Sequence, residues 1–343
     1  MFKSTTNSIT FFKSGAGFAN ACVVIFSFFG LRVLGGKTSG ADFLLHSGYD
    51  VVSVESNGDD WHQGLPPQEV EKLALFLKTH YAIVHGYGSS MGAYAALAFA
   101  DILKFSRVLA ISPQFRIDQD FDRRWASNAA RIRWQYGIQG GPGRIEIFMV
   151  FDPMNEDALH IPMIASKFPL SRIHQIRVRY SGHPSTFWLH RAGALKDFMV
   201  GIFDSGRVSL NLRLARKNNT VHLRELGFVL FRRRRYDWCA RVLEKAVVGG
   251  ETGAQIHKFL SGAQGQSGKM DSAIRNAEIA IAMAASAAEK AGCLAHLGHL
   301  FNHTGRRSEA IQRFDEAIEL LPSNLSFQAV RAHMKGTGGA AGT

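Results

Sequence analysis

Short apolar runs alternate with helix-like segments over residues 18–204. Strands that are buried on both faces give nearly continuous apolar runs, whereas helices place apolar residues three or four positions apart. The alternation predicts an α/β fold, a mostly parallel sheet with helices on both faces. The predicted strands include residues 22–28, 50–56, 81–86, 107–113, 144–151 and 174–182, and the predicted helices include residues 67–79, 93–105 and 157–168.

After residue 205 the strand pattern stops and alanine-rich helical stretches follow. Three stretches, residues 220–253, 254–287 and 291–324, carry apolar and small residues at matching offsets. The last has Leu297, Gly298, Phe301, Ala310, Phe314, Ala317 and Pro322, and the first has Leu226, Gly227, Leu230, Cys239, Leu243 and Ala246. The middle stretch keeps Leu260, Ala273, Ala277 and Ala280, but it has Ser261 and Gln264 where the pattern prefers a glycine and an aromatic residue.

These offsets resemble the tetratricopeptide repeat (TPR), a helix pair that recurs about every 34 residues. One such pair cannot bury its apolar stripe alone, so stacked neighbours complete the core. The resemblance implies an all-α helical-repeat domain over residues 205–335, with about three repeats and a protein partner. An ordinary helical bundle is the alternative. Four arginines, residues 232–235, fall between two helices and form either a solvated turn or a patch for an acidic partner.

Length and composition fit two domains, because the 343 residues are 46% hydrophobic. We expect an N-terminal arm (1–17), the α/β domain (18–204), the helical domain (205–335) and a flexible tail (336–343). The apolar run at residues 21–29 is shorter than the ~20 residues that a membrane span needs, so we predict no transmembrane segment. The three separated cysteines, Cys22, Cys239 and Cys293, indicate reduced thiols and a cytoplasmic location.

The 40 basic and 28 acidic residues give a net charge of +12. A charge of this size is typical of proteins that bind acidic partners such as nucleic acid. The basic residues are dispersed and no nucleic-acid-binding motif accompanies them, so we do not predict that partner. The 14 histidines show neither an HExxH motif nor another metal-ligand spacing. We therefore predict no metal and no cofactor.

A glycine-rich turn joins a predicted strand to a predicted helix at Gly88-Ser89-Ser90-Met91-Gly92. The turn matches GxSxG with Ser90 at the centre, and strand–turn–helix is the context that this motif requires. A nucleophilic serine must stand on a sharp turn, where side chains two positions to either side would collide with neighbouring elements. Gly88 and Gly92 meet that requirement for Ser90, whereas Ser89 lacks glycine neighbours at those positions. The alternatives are a turn that cradles a phosphate and a merely tight strand-to-helix turn.

An acid and a histidine follow Ser90 in the order serine, acid, histidine, each after a later predicted strand. The histidine is His183. The chain here resembles an α/β-hydrolase over residues 18–204, in a small version without the first hairpin and without a large cap. The resemblance implies a Ser-His-Asp triad of Ser90, His183 and an aspartate. We prefer Asp157 as the acid, with Asp152 as the alternative; the preference reverses if Asp157 caps the following helix.

An oxyanion hole with two backbone N–H donors also follows from the resemblance. By this resemblance, one donor is the backbone amide of Met91, just after the serine. The other is the amide of Phe28 or Phe29, in the loop after the first strand. Trp61, His62 and Gln63 either line the substrate cleft or form a surface turn anchored by the tryptophan. Residues 122–134, in which arginines and tryptophans alternate, occupy the place of a lid or form a solvated helix.

The sequence therefore predicts a serine hydrolase that acts on an ester or a thioester, joined to a TPR module that binds a protein partner. An acyltransferase could use the same serine. The alternative from another class is a TPR-centred interaction protein, or scaffold, whose α/β domain is degenerate and non-catalytic. Since a fold does not fix a function, the reaction class depends on the triad.

Overall fold

The N-terminal part of the protein is built around a mixed β-sheet. The structure is a computed structural model that describes residues 1–141, 143–208 and 211–336. Within those residues the sheet has eight strands: β1 (Phe2–Lys3), β2 (Asn7–Phe12), β3 (Ala21–Phe26), β4 (Asp50–Ser56), β5 (Ile83–Ser89), β6 (Arg107–Ile111), β7 (Glu146–Phe151) and β8 (Ile173–Arg177). Their spatial order is β1-β2-β4-β3-β5-β6-β7-β8. Strands β3 to β8 are parallel, whereas β2 pairs antiparallel with both β1 and β4.

The strands predicted from apolar runs lie at the expected places as β3 to β8. The largest extension is in β5, which continues to Ser89 instead of ending at residue 86. Its last residues pair with β3 on one side and β6 on the other, through Gly88 opposite Phe26 and Ser89 opposite Ile111. In parallel sheets, ligands bind at the edge formed by the carboxyl ends of the strands. The serine turn therefore starts at the carboxyl edge of the sheet.

An N-terminal hairpin, β1 with β2, corrects the prediction of a separate arm and of a fold without a first hairpin. Strand β2 pairs with β4 from Asn7 opposite Ser56 to Phe12 opposite Val51. The segment after β2 is held by Asp50, whose carboxylate accepts the amide N–H of Ser14 at 2.8 Å. Residues 2–3 and 7–12 of the predicted arm are therefore strands of the sheet.

Helices cover both faces of the sheet. In the N-terminal part they are α1 (Ala41–His46), α2 (Pro67–His80), α3 (Met91–Ala98), α4 (Ala126–Ala129), α5 (Asp157–Ala165), α6 (Thr186–Arg191), α7 (Leu195–Ser205) and α8 (Leu212–Arg216). Helices α2, α3 and α5 share one core with alternate strand residues such as Val24 and Val108. On the opposite face, Phe203 of α7 stacks on His85 of β5 with ring centroids 5.0 Å apart. Burial on both faces explains the nearly continuous apolar runs.

The chain divides into two units after Asn219, not after residue 204 as predicted. The side-chain amide of Asn219 donates a hydrogen bond to the backbone oxygen of Trp188 at 3.0 Å. This bond ties the end of the connecting segment to the N-terminal unit. The boundary therefore lies just before the first long helix of the C-terminal unit.

The C-terminal unit consists of consecutive helices: α9 (Thr220–Arg232), α10 (Tyr236–Val248), α11 (Ala254–Gln266), α12 (Met270–Met283), α13 (Ala287–His303), α14 (Arg307–Leu320) and α15 (Leu325–Gly336). The first six form pairs that match the three predicted repeats. Small residues allow close approach within a pair: a Cβ on Gly227 would lie 2.2 Å from Leu243 Cδ2, and one on Gly298 would lie 2.9 Å from the Phe314 ring. In these repeated pairs the unit resembles a TPR array, as predicted.

Arginines 232–235 are exposed at the turn between α9 and α10. Helix α15 was not predicted as a separate element, and its Met334 packs against the core of the last pair. Of the predicted flexible tail, Gly336 ends α15, and residues 337–343 lie outside the described part of the chain. No helix among the described residues is both long enough and apolar enough to cross a membrane.

Candidate active site

Ser90 occupies a strained turn between β5 and α3. Its backbone has φ 54° and ψ −117°, a conformation that L-residues rarely adopt. Steric contacts leave room only for glycine at positions 88 and 92. A Cβ on Gly88 would lie 2.0 Å from the Gly92 backbone oxygen. A Cβ on Gly92 would lie 2.3 Å from the backbone oxygen of Phe26 at the end of β3. The turn thus has the steric demands that the motif predicted, and strain of this kind clusters at functional sites.

Ser90, His183 and Asp157 form a continuous chain of hydrogen bonds. The Ser90 Oγ lies 2.8 Å from His183 Nε2, and His183 Nδ1 lies 2.8 and 2.9 Å from the two carboxylate oxygens of Asp157. A carboxylate only accepts, so Nδ1 of the neutral imidazole carries the proton and Nε2 accepts from the serine. A hydroxyl in this arrangement can transfer its proton to the imidazole while it attacks an electrophile.

The structure places Asp157, not Asp152, against the histidine. Asp157 is the first residue of α5 and is fully buried, and the residue that precedes the helix as its N-cap is Glu156. Burial opposes ionisation, but the hydrogen bond from His183 and the charge of Arg124 outweigh it and lower the pKa of Asp157. The acid therefore remains a carboxylate at neutral pH.

Asp152 instead holds the loop that carries His183. Its carboxylate accepts the backbone N–H groups of Met154 at 2.9 Å, Tyr180 at 3.1 Å and Gly182 at 2.9 Å. Burial raises the pKa of Asp152, which these hydrogen bonds oppose. Asp157, the acid that the sequence analysis preferred, thus contacts His183, whereas Asp152 contacts backbone amides.

Arg124 contacts the same carboxylate and was missed by sequence reasoning as a site residue. Its Nη1 and Nη2 both lie 3.0 Å from Asp157 Oδ1. Its Nε and Nη2 also bind the buried carboxylate of Asp122 at 2.9 and 2.8 Å. Asp122 accepts a further hydrogen bond from His160 Nε2 at 3.1 Å, and His160 Nδ1 accepts the Phe115 amide. The guanidinium therefore bridges two buried carboxylates behind His183.

A cavity of about 340 Å³ opens beside Ser90 and His183. Most of its walls are apolar and aromatic. The lining includes Phe26, Phe28, Phe29, Tyr87, Trp125, Pro184 and Phe187. The indole of Trp125 lies next to the histidine, with ring centroids 5.9 Å apart. A cavity of this size and lining suits an uncharged, apolar group.

The three residues expected at the oxyanion hole lie around this site. Met91 is the first residue of α3, and the amide of a first helical residue has no acceptor within its own helix. Phe28 and Phe29 follow β3 and line the cavity together with Ser90. The structure brings these residues to one place, and their catalytic role remains a prediction.

Trp61, His62 and Gln63 do not line the cavity that contains Ser90, so the cleft prediction is wrong. All three side chains are buried. Trp61 and His62 both have positive φ angles, which a sequence pattern does not reveal. Trp61 Nε1 donates to Gln114 Oε1 at 2.8 Å, and its ring packs 5.6 Å from that of Trp125. Trp61 therefore packs against Trp125, which lines the cavity.

The segment predicted as a lid or solvated helix has a mixed structure. Residues 123–125 form a short 3-10 turn that is followed by α4. This turn carries both Arg124, which contacts Asp157, and Trp125, which lines the cavity. The alternation of arginine and tryptophan thus places a charge behind the site and a ring beside it. Over residues 1–141, 143–208 and 211–336, no three His, Cys, Asp or Glu side chains are grouped so as to hold a metal ion.

Arg124→Gln is expected to lower the free energy of unfolding by about 3 kcal/mol at neutral pH, because it leaves two buried carboxylates without their cation. Both carboxylates have pKa values below those of an unfolded chain. Their contribution is therefore complete above about pH 5 and is lost as the pH falls further. Urea denaturation followed by tryptophan fluorescence at several pH values measures this difference.

The matched control for Arg124 is Arg116→Gln, which breaks an exposed pair with Asp118. Exposed pairs contribute little, so we expect no measurable change in the unfolding midpoint. The bridging role of Arg124 is contradicted if both variants unfold at the wild-type midpoint at pH 7.

No protein-family model matches the chain, and no curated protein matches it. Among solved structures, MamA is similar at 23% identity and a TM-score of 0.32, over 36% of this chain and 71% of that one. The first TPR of Spaghetti (RPAP3), bound to an HSP90 peptide, is similar at 17% identity and a TM-score of 0.31, over 34% and 91%.

A third similar structure is the Yersinia enterocolitica type III secretion chaperone SycD in complex with a peptide of the translocator YopD. It has 18% identity and a TM-score of 0.29, over 33% of this chain and 85% of that one. Each likeness therefore extends over about a third of the chain.

Proposed function

We propose that the N-terminal unit is a serine hydrolase of the α/β-hydrolase type that acts on esters or thioesters. The observation that carries the proposal is the hydrogen-bonded chain from Ser90 through His183 to Asp157, set on a turn that only glycine neighbours permit. The same groups occur as catalytic triads on unrelated folds, where geometry and role identify them.

In the proposed reaction the Ser90 oxygen attacks the acyl carbonyl and passes its proton to His183 Nε2. Asp157 holds the imidazole in the required tautomer and stabilises its cation. The amides of Met91 and of Phe28 or Phe29 stabilise the oxygen anion that develops on the substrate. His183 then protonates the leaving alcohol or thiol, which leaves an acyl group on Ser90. Water, activated by the same histidine, releases the acid, and an alcohol in place of water would give acyl transfer.

The cavity supports an uncharged acyl group as the part of the substrate that binds beside Ser90. Its aromatic walls gain from burying apolar surface, whereas a charged group would lose its hydration there without a matching partner. The groups already named supply each proton transfer and each charge contact, so the proposal includes no cofactor. We place the activity in the cytoplasm, because all three cysteines are buried and unpaired.

The test is labelling with a fluorophosphonate, together with turnover of nitrophenyl esters of short and medium acyl chains. Labelling and turnover that both depend on Ser90 would support the proposal. Absence of both in the wild-type protein would instead favour the alternative, an interaction protein with a non-catalytic N-terminal unit.

We also propose that the helical unit binds a protein segment. The supporting observation is its series of repeated helix pairs, an arrangement that leaves an extended surface for partners. The similar RPAP3 and SycD structures are described as peptide complexes. Binding of this kind would be independent of the serine chemistry.

A chemical cross-linking experiment on the full-length protein tests the interaction role. A partner that co-purifies equally with the wild-type protein and with Ser90→Ala is expected to cross-link within residues 220–324. Cross-links confined to residues 1–219 would contradict the assignment of partner binding to the helical unit.

A further inference from the structure

His62 lies behind the loop that follows β3. Its ring is fully buried, and its Nε2 lies 3.0 Å from the backbone oxygen of Ser27. The turn that carries it is held by Asp60, whose carboxylate accepts the His62 amide at 3.0 Å and the Gly64 amide at 2.8 Å. Positive φ angles at Asp59, Trp61 and His62 show that this turn is strained. Strained backbone persists where the surrounding structure fixes it, which is frequent near active sites.

The hydrogen bond fixes the tautomer of His62. A backbone oxygen only accepts, so Nε2 carries the proton and donates to Ser27. Burial lowers the pKa of His62, which keeps the ring neutral and limits it to this one N–H donor. Within the described residues, the other ring nitrogen has no hydrogen-bond partner. Among the described residues, the His62 ring therefore hydrogen-bonds only to the backbone oxygen of Ser27.

Ser27 is held on its other sides as well. Its amide donates to the Val54 backbone oxygen at 2.9 Å, and its hydroxyl accepts the Ser56 amide at 3.1 Å. Its backbone oxygen lies close to the serine turn, since a Cβ on Gly92 would be 2.9 Å from it. A trans peptide is planar, so a fixed Ser27 carbonyl also fixes the opposite direction of the Phe28 N–H. Phe28 lines the cavity with Ser90.

We propose that His62 is a positioning residue for the oxyanion hole: its bond to Ser27 aims the Phe28 amide at the developing oxygen anion. The inference rests on the proposed serine hydrolase function and selects Phe28 over Phe29 as the second donor. His62 touches neither the substrate nor the reacting atoms. Its effect is on the transition state, where the oxygen carries charge, more than on substrate binding.

The test compares His62→Leu with His62→Gln in the full-length protein. Leucine removes the donor, and we expect kcat for a nitrophenyl ester to fall about 100-fold, as for loss of one oxyanion donor, with KM changed little. Inhibition by an alkyl trifluoromethyl ketone, which forms the anionic adduct, should weaken by a similar factor. Glutamine can place an amide N–H near the position of Nε2, so His62→Gln should recover most of both losses.

His85→Leu is the matched control, because His85 is also a buried histidine but stacks on Phe203 on the opposite face of the sheet. We expect it to lower thermal stability while kcat per folded molecule stays near the wild-type value. If His62→Leu does not fold, His62→Asn replaces it, since the shorter amide does not reach Ser27.

The positioning role is overturned if the donor-free variant retains kcat, if KM rises in place of a fall in kcat, or if glutamine rescues no better than leucine or asparagine. In each of these cases the wild-type protein still labels and turns over, so the proposed function stands. A wild-type protein that neither labels nor turns over overturns the proposed function, and the role of His62 with it.

Discussion

Ser90→Ala is expected to reduce ester turnover by at least about 10⁴-fold, because removing the attacking oxygen eliminates covalent catalysis. The fold should survive, since alanine is smaller and Ser90 lies on a turn whose shape depends on Gly88 and Gly92. Steady-state assays with a nitrophenyl ester measure the loss, and circular dichroism establishes that the variant is folded.

Ser89→Ala is the control for the neighbouring hydroxyl. The Ser89 Oγ is hydrogen-bonded to the Thr186 hydroxyl at 2.6 Å, whereas His183 is hydrogen-bonded to Ser90. We expect turnover within a few-fold of wild type and full labelling by a fluorophosphonate. The assignment of Ser90 is wrong if Ser89→Ala is the variant that loses both.

Asp157→Asn is expected to reduce kcat by about 10³ to 10⁴-fold. An asparagine can turn its NH₂ group towards His183, which would favour the tautomer that cannot accept the serine proton. It also removes the negative charge that stabilises the imidazolium and that pairs with Arg124 at 3.0 Å. The same assay at several pH values measures kcat directly.

Asp152→Asn separates the two candidate acids. Asp152 contacts backbone amides of the loop before His183, and an amide oxygen can still accept part of that set. We expect a loss of activity about 100-fold smaller than for Asp157→Asn, together with a lower melting temperature. A larger loss at Asp152 than at Asp157 would falsify the assignment of the acid.

Much of the serine turn could be predicted from the sequence because its requirements are local. The strand, the glycines at two positions and the following helix all lie within a short segment, and each has a steric reason. His183 was predictable by its order along the chain. The sequence favoured Asp157 over Asp152 as the acid but left both open, since the choice depends on which carboxylate the segment after β7 brings to His183.

The residues that sequence reasoning missed or misplaced depend on contacts between distant segments. Arg124 and Asp157 are 33 residues apart, and no spacing rule connects a turn arginine to an acid at the start of α5. The sequence analysis placed Trp61 and His62 in the substrate cleft or in a surface turn, but both side chains are buried on a turn with positive φ angles. The N-terminal hairpin was missed because its short strands become recognisable only through pairing, β1 with β2 and β2 with β4.

Mass spectrometry after treatment with a fluorophosphonate shows whether Ser90 is the reactive nucleophile of the protein. We expect one adduct on the wild-type protein, located on the peptide that contains Ser90, with none on Ser90→Ala and much slower labelling of Asp157→Asn. An unmodified wild-type protein, or equal labelling of Ser90→Ala, would contradict the claim that this turn carries a working nucleophile.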